Sequence, residues 1–283
     1  MARRFPLKLE VEMAAQPQEI ATGVYCLAIG KKFGGTNVYI VRSGPSWVLI
    51  DTAWPQSGHL IKEAAESLFG ANARPASILL THLHPDHVGS ALELARMWNV
   101  PVYVHPNEMP LAAEEFPTEY ANPLDRWCIF PLMRIWPPFA TSVRRQAHES
   151  NLKGVVRAFD PTAVIPGLPD WSSVHTPGHT PGHVVFFRNR DRVMIAGDAL
   201  LTININSVWD LLRNKRRISG PPYIATWNWP QAREAVAALA KLQPSVLACG
   251  HGVPMMGAEI ARDLAAFADG FSRSASKTRT AGP

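Results

Sequence analysis

The chain of 283 residues is 47% hydrophobic and 18% charged, with a net charge of +5. Those proportions allow a proper buried core and argue against an intrinsically disordered chain. Three cysteines, Cys26, Cys128 and Cys249, lack CxxC spacing and cannot all pair within one chain, which sets aside a disulfide framework and a thiolate zinc knuckle.

Three β-branched or aromatic runs come first, "GVYCLAI", "TNVYIVR" and "SWVLIDT", separated by Gly, Ser and Pro, and they predict consecutive antiparallel strands. The stretch "SGHLIKEAAESLFG" then predicts a helix closed by Gly70. A buried strand "ASILLTH", a helix "HVGSALELARMW" and a strand "PVYVHP" follow. In the second half "SVHTPG", "HVVFFRN" and "RVMIAGD" predict strands. "PQAREAVAALAKL" predicts a helix opened by proline, "SVLACG" a strand and "AEIARDLAAFADGF" a last helix. Strands and helices recur in both halves with a sheet-rich opening to each, so the expected class is α/β, two sheets packed face to face with helices outside.

Residues 106–161 break that rhythm. Aromatics, prolines and arginines mix there without a clean period, as in "NPLDRWCIFPLMRIWPPFATSVRRQAHES". The expectation is a mostly helical insertion lying over one end of the sandwich. Trp127, Phe130, Trp136 and Phe139 either form a satellite core beneath it or line an apolar substrate pocket.

The chemistry-bearing stretch is "LLTHLHPDHVGS". His82 and His84 sit two apart at the end of a predicted strand, where side chains leave the same face. Asp86 and His87 follow at the turn into the next helix and approach from another direction. Neutral imidazoles with an ionised carboxylate are a usual donor set for zinc. Further along, His179 lies in the Pro-Gly-rich "HTPGHTPGH", Asp198 closes the strand of "IAGDAL", and His251 lies between glycines in "LACGHG". Each alone is common turn chemistry, and His175 and His183 read as shaping their turn. Together, at the ends of separate strands, these side chains are candidates to meet at one rim.

In those motifs the sequence resembles the metallo-β-lactamase fold superfamily, from about Ile20 to about Phe267, with its ligand pattern nearest the lactonase and glyoxalase II-like branches. The resemblance implies a four-layer αββα sandwich. It also implies two metal ions, one held by His82, His84, His179 and Asp198, its neighbour by Asp86, His87, His251 and the bridging Asp198. Asp51, closing a strand in "VLIDT", would support the site from behind. Two zinc ions are implied, with manganese or iron as alternatives. Such a pair lowers the pKa of a shared water toward about 7 and makes hydroxide available as nucleophile. Asp86 is the candidate proton carrier to the leaving group.

Departures from subfamilies narrow the reaction. Asp198 stands where true β-lactamases of the fold carry cysteine or serine. Leu201 stands where many lactonases carry a tyrosine, leaving Tyr223 as a candidate substitute donor. The reading is a dinuclear metallo-hydrolase of a small ester-like substrate, a lactone or carboxylic ester ahead of a thioester or phosphoester. A mononuclear iron persulfide dioxygenase and a non-catalytic ligand-binding protein are the alternatives.

The positive charge gathers at the first few residues, in "RNKRR" at Arg213 to Arg217, and in the tail "SRSASKTRTAGP". Residues 1–270 are expected to form one domain, with residues 271–283 a disordered basic tail. "RNKRR" reads as an exposed loop or as a cluster that draws anionic substrates toward the site. No nucleic-acid reader module accompanies it. No stretch approaches the roughly 18 apolar residues of a membrane span. The expected setting is the cytoplasm, with a small-molecule substrate and no membrane or nucleic-acid partner. A homodimer through an apolar face of the insertion is left open.

Overall fold

The computed structural model describes residues 16–30, 35–113, 120–141, 152, 154–207, 209–210, 213 and 215–279. Expectations for the first few residues, for residues 114–119, 142–151 and 153 of the insertion, for Asn214 and for the last four residues of the tail lie outside them.

Two sheets form the centre. The first has seven strands in sequential order: β1 (Gln18–Ala21), β2 (Val24–Ile29), β3 (Thr36–Ser43), β4 (Ser46–Ile50), β5 (Ser77–Leu79), β6 (Val102–Val104) and β7 (Val156–Ala158). Its first four strands pair antiparallel, and β4 to β7 pair parallel. The second contains β8 (Trp171–His175), β9 (Val184–Arg188), β10 (Val193–Gly197), β13 (Val246–Cys249) and β14 (Met255–Met256), in the order β14-β13-β10-β9-β8. A separate hairpin pairs β11 (Leu201–Ile203) with β12 (Arg216–Ser219).

Alternation along the strands creates three cores and therefore four layers. In β3, Val38 and Ile40 face α1 (Gly58–Phe69) and α3 (Ala91–Trp98), packing with Ile61 and Leu94. Tyr39 and Val41 face the other way and meet Phe186, Ile195 and Ala248 between the sheets. On the far side Val185, Met194 and Leu247 pack on Val236 and Leu264 of α6 (Trp229–Lys241) and α7 (Ile260–Arg279). Full burial of one such aliphatic side chain stabilises by about 1.5–3 kcal/mol. The chain is an αββα sandwich, as expected.

Several expectations need correction. The strand around "ASILLTH" is only Ser77–Leu79, so His82 lies beyond it in a loop. The helix expected from His87 to Trp98 is two: α2 (Pro85–Val88) and then α3. Residues 106–161 are not wholly an insertion, because β7 adds an edge strand to the first sheet. "RNKRR" is not simply a loop: Arg216 and Arg217 open β12, and Arg217 pairs with Asp210 at 3.2 Å.

Candidate metal centre

The candidate donors sit beyond the carboxyl ends of parallel strands, where open α/β sheets place their ligands. Asp51 follows β4, His82 and His84 follow β5, Asp198 follows β10 and His251 follows β13. His84 occupies the N-cap position of α2, with Pro85 as the first helical residue. Asp86 and His87 lie within that short helix, not in the turn before it. The two-residue spacing of His82 and His84 therefore acts through an irregular loop and not through a strand pleat.

Three groups of donor atoms converge: His82 with His84 and His179, His82 with His87 and Asp198, and Asp86 with His87 and His251. His84 Nδ1 lies 2.9 Å from His179 Nε2. Asp198 touches both halves. Its Oδ2 is 3.6 Å from His179 Nε2 and 3.4 Å from His251 Nε2, and its Oδ1 is 3.4 Å from His87 Nε2. Asp86 Oδ2 lies 3.2 Å from His251 Nε2 and 3.7 Å from His87 Nε2.

The outward nitrogens of the rings are already engaged. His87 Nδ1 faces Asp51 Oδ2 at 2.8 Å, His82 Nδ1 faces Thr81 Oγ1 at 3.0 Å, His179 Nδ1 faces Thr226 Oγ1 at 3.2 Å, and His251 Nδ1 faces the Gly35 carbonyl at 2.8 Å. The Thr81 hydroxyl donates to Asp51 and the Thr226 hydroxyl to the Pro222 carbonyl, so both accept from their histidine. That assigns the proton to Nδ1 and turns the Nε2 lone pair inward. Among the described residues His82 Nε2, His87 Nε2 and Asp198 Oδ1 are buried without a hydrogen-bond partner. Orphaned buried acceptors around two carboxylates fit divalent cations.

Burial drives the histidines of one half toward neutrality: His82, His84 and His179 all titrate below the ordinary range, helped in each case by neighbouring rings. In the other half burial opposes charge on His251, yet Asp198 and Asp86 push it up to about 10. For His87 the same burial is overcome by Asp198, Asp86 and Asp51. Burial disfavours the ionised carboxyls of Asp86 and Asp198, and the adjacent His87 and His251 nevertheless hold both below the usual range. This half demands positive charge, which protons or cations can supply.

Close packing fixes the rim. A Cβ at Gly250 would sit 2.2 Å from Asp198 Oδ1 and 2.6 Å from His87 Cε1. His183 is buried, accepts at Nε2 from the Asp198 backbone N–H at 3.0 Å and donates from Nδ1 to Thr176 Oγ1 at 2.8 Å, the Thr176 hydroxyl itself donating to the His183 carbonyl. Three supports carry no sequence signal: Thr226 behind His179, Asn37, which donates to the carbonyls of Cys249 and Gly252, and Glu108 between two loops. None belongs to a recognisable motif, and their partners are remote in sequence.

The candidate substrate contacts are less gathered. Trp127 is 80% exposed and Trp136 54%, and no residue of the helical turns Asp125–Ile129 and α5 (Phe130–Ile135) is buried, so these turns form no satellite core. Phe130 is half-buried. Tyr223 is exposed and stacks on Trp229, on the loop that carries Thr226. Leu201 is fully buried in β11. Burial raises the Asp125 carboxyl, against the Asn122 backbone N–H that donates to it at 3.2 Å and, more weakly, against His84.

The family model described as the metallo-beta-lactamase superfamily matches residues 32–251. The probable metallo-hydrolase YflN of Bacillus subtilis is 36% identical over 259 residues, covering 90% of this chain and 93% of that protein. A metallo-beta-lactamase family protein from Thermus thermophilus, TTHA1429, shares the fold at a TM-score of 0.62 and 19% identity, over 92% of this chain and 81% of that one. AidC, a dizinc quorum-quenching lactonase in complex with a product, does so at 0.59 and 14% identity, over 83% and 90% of the two chains. With the family pattern spanning most of its length and the donor groups gathered at one rim, this chain belongs to the metallo-beta-lactamase superfamily and is a metallo-hydrolase.

Proposed function

We propose that the centre holds two divalent ions, zinc first among them, and hydrolyses a small ester-like acyl substrate, a lactone or carboxylic ester. The observation that carries the two-ion reading is the position of Asp198, one carboxylate within 3.6 Å of His179, His87 and His251. In this reading His82, His84 and His179 complete one site and Asp86, His87 and His251 the other. Bound cations would supply an activated water and polarise the acyl oxygen.

The protein's own groups orient and move protons. Asp51, Thr81, Thr226 and the Gly35 carbonyl fix the four imidazole rings, so the donors need little rearrangement. Asp86 is half-buried at the edge of the cluster and accepts the proton of the attacking water. It then returns the proton to the leaving oxygen as the acyl C–O bond breaks. An acyl substrate is supported by the fold shared with a lactonase and by exposed apolar side chains on the neighbouring helical segment.

Metal quantification on protein purified without added ions, followed by lactone, aryl ester, thioester, phosphotriester and persulfide substrates, tests this. Two zinc ions per chain with lactone or ester turnover is the expected result. One iron with oxygen consumption on the persulfide replaces the proposal by a dioxygenase. A fully loaded protein inert to every substrate, yet retaining one of them, replaces it by a binding function.

A further inference from the structure

Glu108 is fully buried on the single turn Pro106–Glu108 that follows β6. Its carboxyl accepts three hydrogen bonds. Oε2 takes the Leu83 backbone N–H at 2.9 Å, and Oε1 takes the Thr180 hydroxyl at 2.6 Å and the Gly182 backbone N–H at 2.7 Å. Among the described residues none of these three donors has another acceptor, and no cationic side chain pairs with Glu108.

The three donors are not scattered. Leu83 stands between His82 and His84, Thr180 follows His179, and Gly182 precedes His183, which in turn accepts from the Asp198 backbone N–H. One carboxyl group therefore ties together both loops that present the three-histidine half. The fit is close: a Cβ at Gly182 would come within 2.6 Å of the Glu108 nitrogen. Next to it His105 and His175 stack with centroids 4.2 Å apart, and His175 Nε2 lies 2.9 Å from the Pro181 carbonyl, clamping the same loop.

A buried carboxyl is an expensive way to hold a fold together. Burial pushes Glu108 up to about 7 even though all three hydrogen bonds work against that shift. Apolar packing would avoid the cost of a buried carboxyl, but it would leave three donors from two irregular loops unsatisfied. We propose that Glu108 is a positioning residue of the metal centre, the brace that sets the separation between the His82–His84 loop and the His179 loop. This rests on the metal-centre reading above and concerns affinity for the ion, not the choice of substrate.

The test is a zinc or cobalt titration of the metal-free protein against a competing chromogenic chelator, with circular dichroism and thermal melting on the same samples. Wild type is compared with Glu108→Ala, Glu108→Gln and Thr180→Val. Loss of a hydrogen-bonded support behind metal ligands typically weakens binding about 10–100-fold. Glu108→Ala is expected to show a loss of that size in one of its two binding steps, with a shifted cobalt absorption spectrum. Gln keeps one accepting oxygen and should recover part of the loss, and Thr180→Val, which removes one donor, should show a smaller one. Wild-type affinity and spectrum in Glu108→Ala, with only the melting temperature lowered, overturns the brace. If Glu108→Ala does not fold, wild-type affinity in both other variants overturns it equally. A wild-type protein that takes up no ion overturns the metal centre itself and the brace with it.

Discussion

Asp51 Oδ2 lies 2.8 Å from His87 Nδ1, and the same carboxylate accepts the Thr81 backbone N–H at 2.8 Å and the Thr81 hydroxyl at 2.8 Å. One buried side chain thus sets the tautomer of His87 directly and of His82 through Thr81. Asp51 adopts φ 60°, a left-handed conformation that asparagine also tolerates. Asp51→Asn should therefore keep the backbone and lose the acceptor at Nδ1. Metal affinity is expected to fall about 10–100-fold, read by chelator competition, with little change in the circular dichroism spectrum.

Gly250→Ala tests the close packing at the rim. The added methyl would overlap Asp198 Oδ1 and His87, neither of which can move without breaking the cluster. Overpacking of this kind typically costs about 1–3 kcal/mol of stability. Loss of at least one metal equivalent by elemental analysis, together with a lowered melting temperature, is the expected outcome.

Asp198 and Asp86 separate bridging from proton transfer. Asp198→Asn should reduce metal content, because the carboxylate contacts histidines of both halves. Asp86→Asn should depress turnover more than it depresses metal content at the three-histidine site, by roughly the 100-fold or more associated with a positioned acid–base group. Parallel loss of metal and turnover in Asp86→Asn would refute the proton-carrier role.

The metal-free protein should be most stable near pH 6.5. His183 is held down to about 3 by burial in the fold, so its contribution is complete above 6.5 and is lost as pH falls toward 3. His251 is raised to about 10 despite burial, so its contribution is complete below 6.5 and is lost as pH rises toward 10. Each proton contributes about 1.4 kcal/mol per pH unit; the lowered His82, His84 and His179 steepen the acid arm, the raised His87 steepens the alkaline arm, and Glu108, raised to about 7, offsets one proton of the acid arm. Saturating zinc should remove the alkaline arm, because a cation then meets the demand of Asp86 and Asp198 for positive charge. Thermal melts across pH, with and without zinc, read both arms.

Much of the fold was legible because burial in a sheet repeats along the chain. Runs such as "TNVYIVR" and "RVMIAGD" alternate between two cores, and their strands lie where expected. The donors were legible because His and Asp cluster at strand ends in a recognisable order. The exact strand limits were not, since the apolar run of "ASILLTH" continues into Leu80, past the three residues that pair. Nor were the short strands β7 and β12 visible, as β7 pairs at only three residues and β12 at two, on either side of a register shift.

The identity and order of the metal-centre candidates, and the layered class, were therefore determined by the sequence. Tertiary structure alone decided which atoms face inward and what holds them there. Glu108 reaches Thr180 and Gly182 across 72 and 74 positions, Thr226 backs His179 across 47, and Asn37 holds the loop before His251 across more than 200. Hydrophobic periodicity records only how a residue sits on its own helix or strand. A single polar side chain joining two loops leaves no repeating trace, so its partners exist only once the sheets have packed.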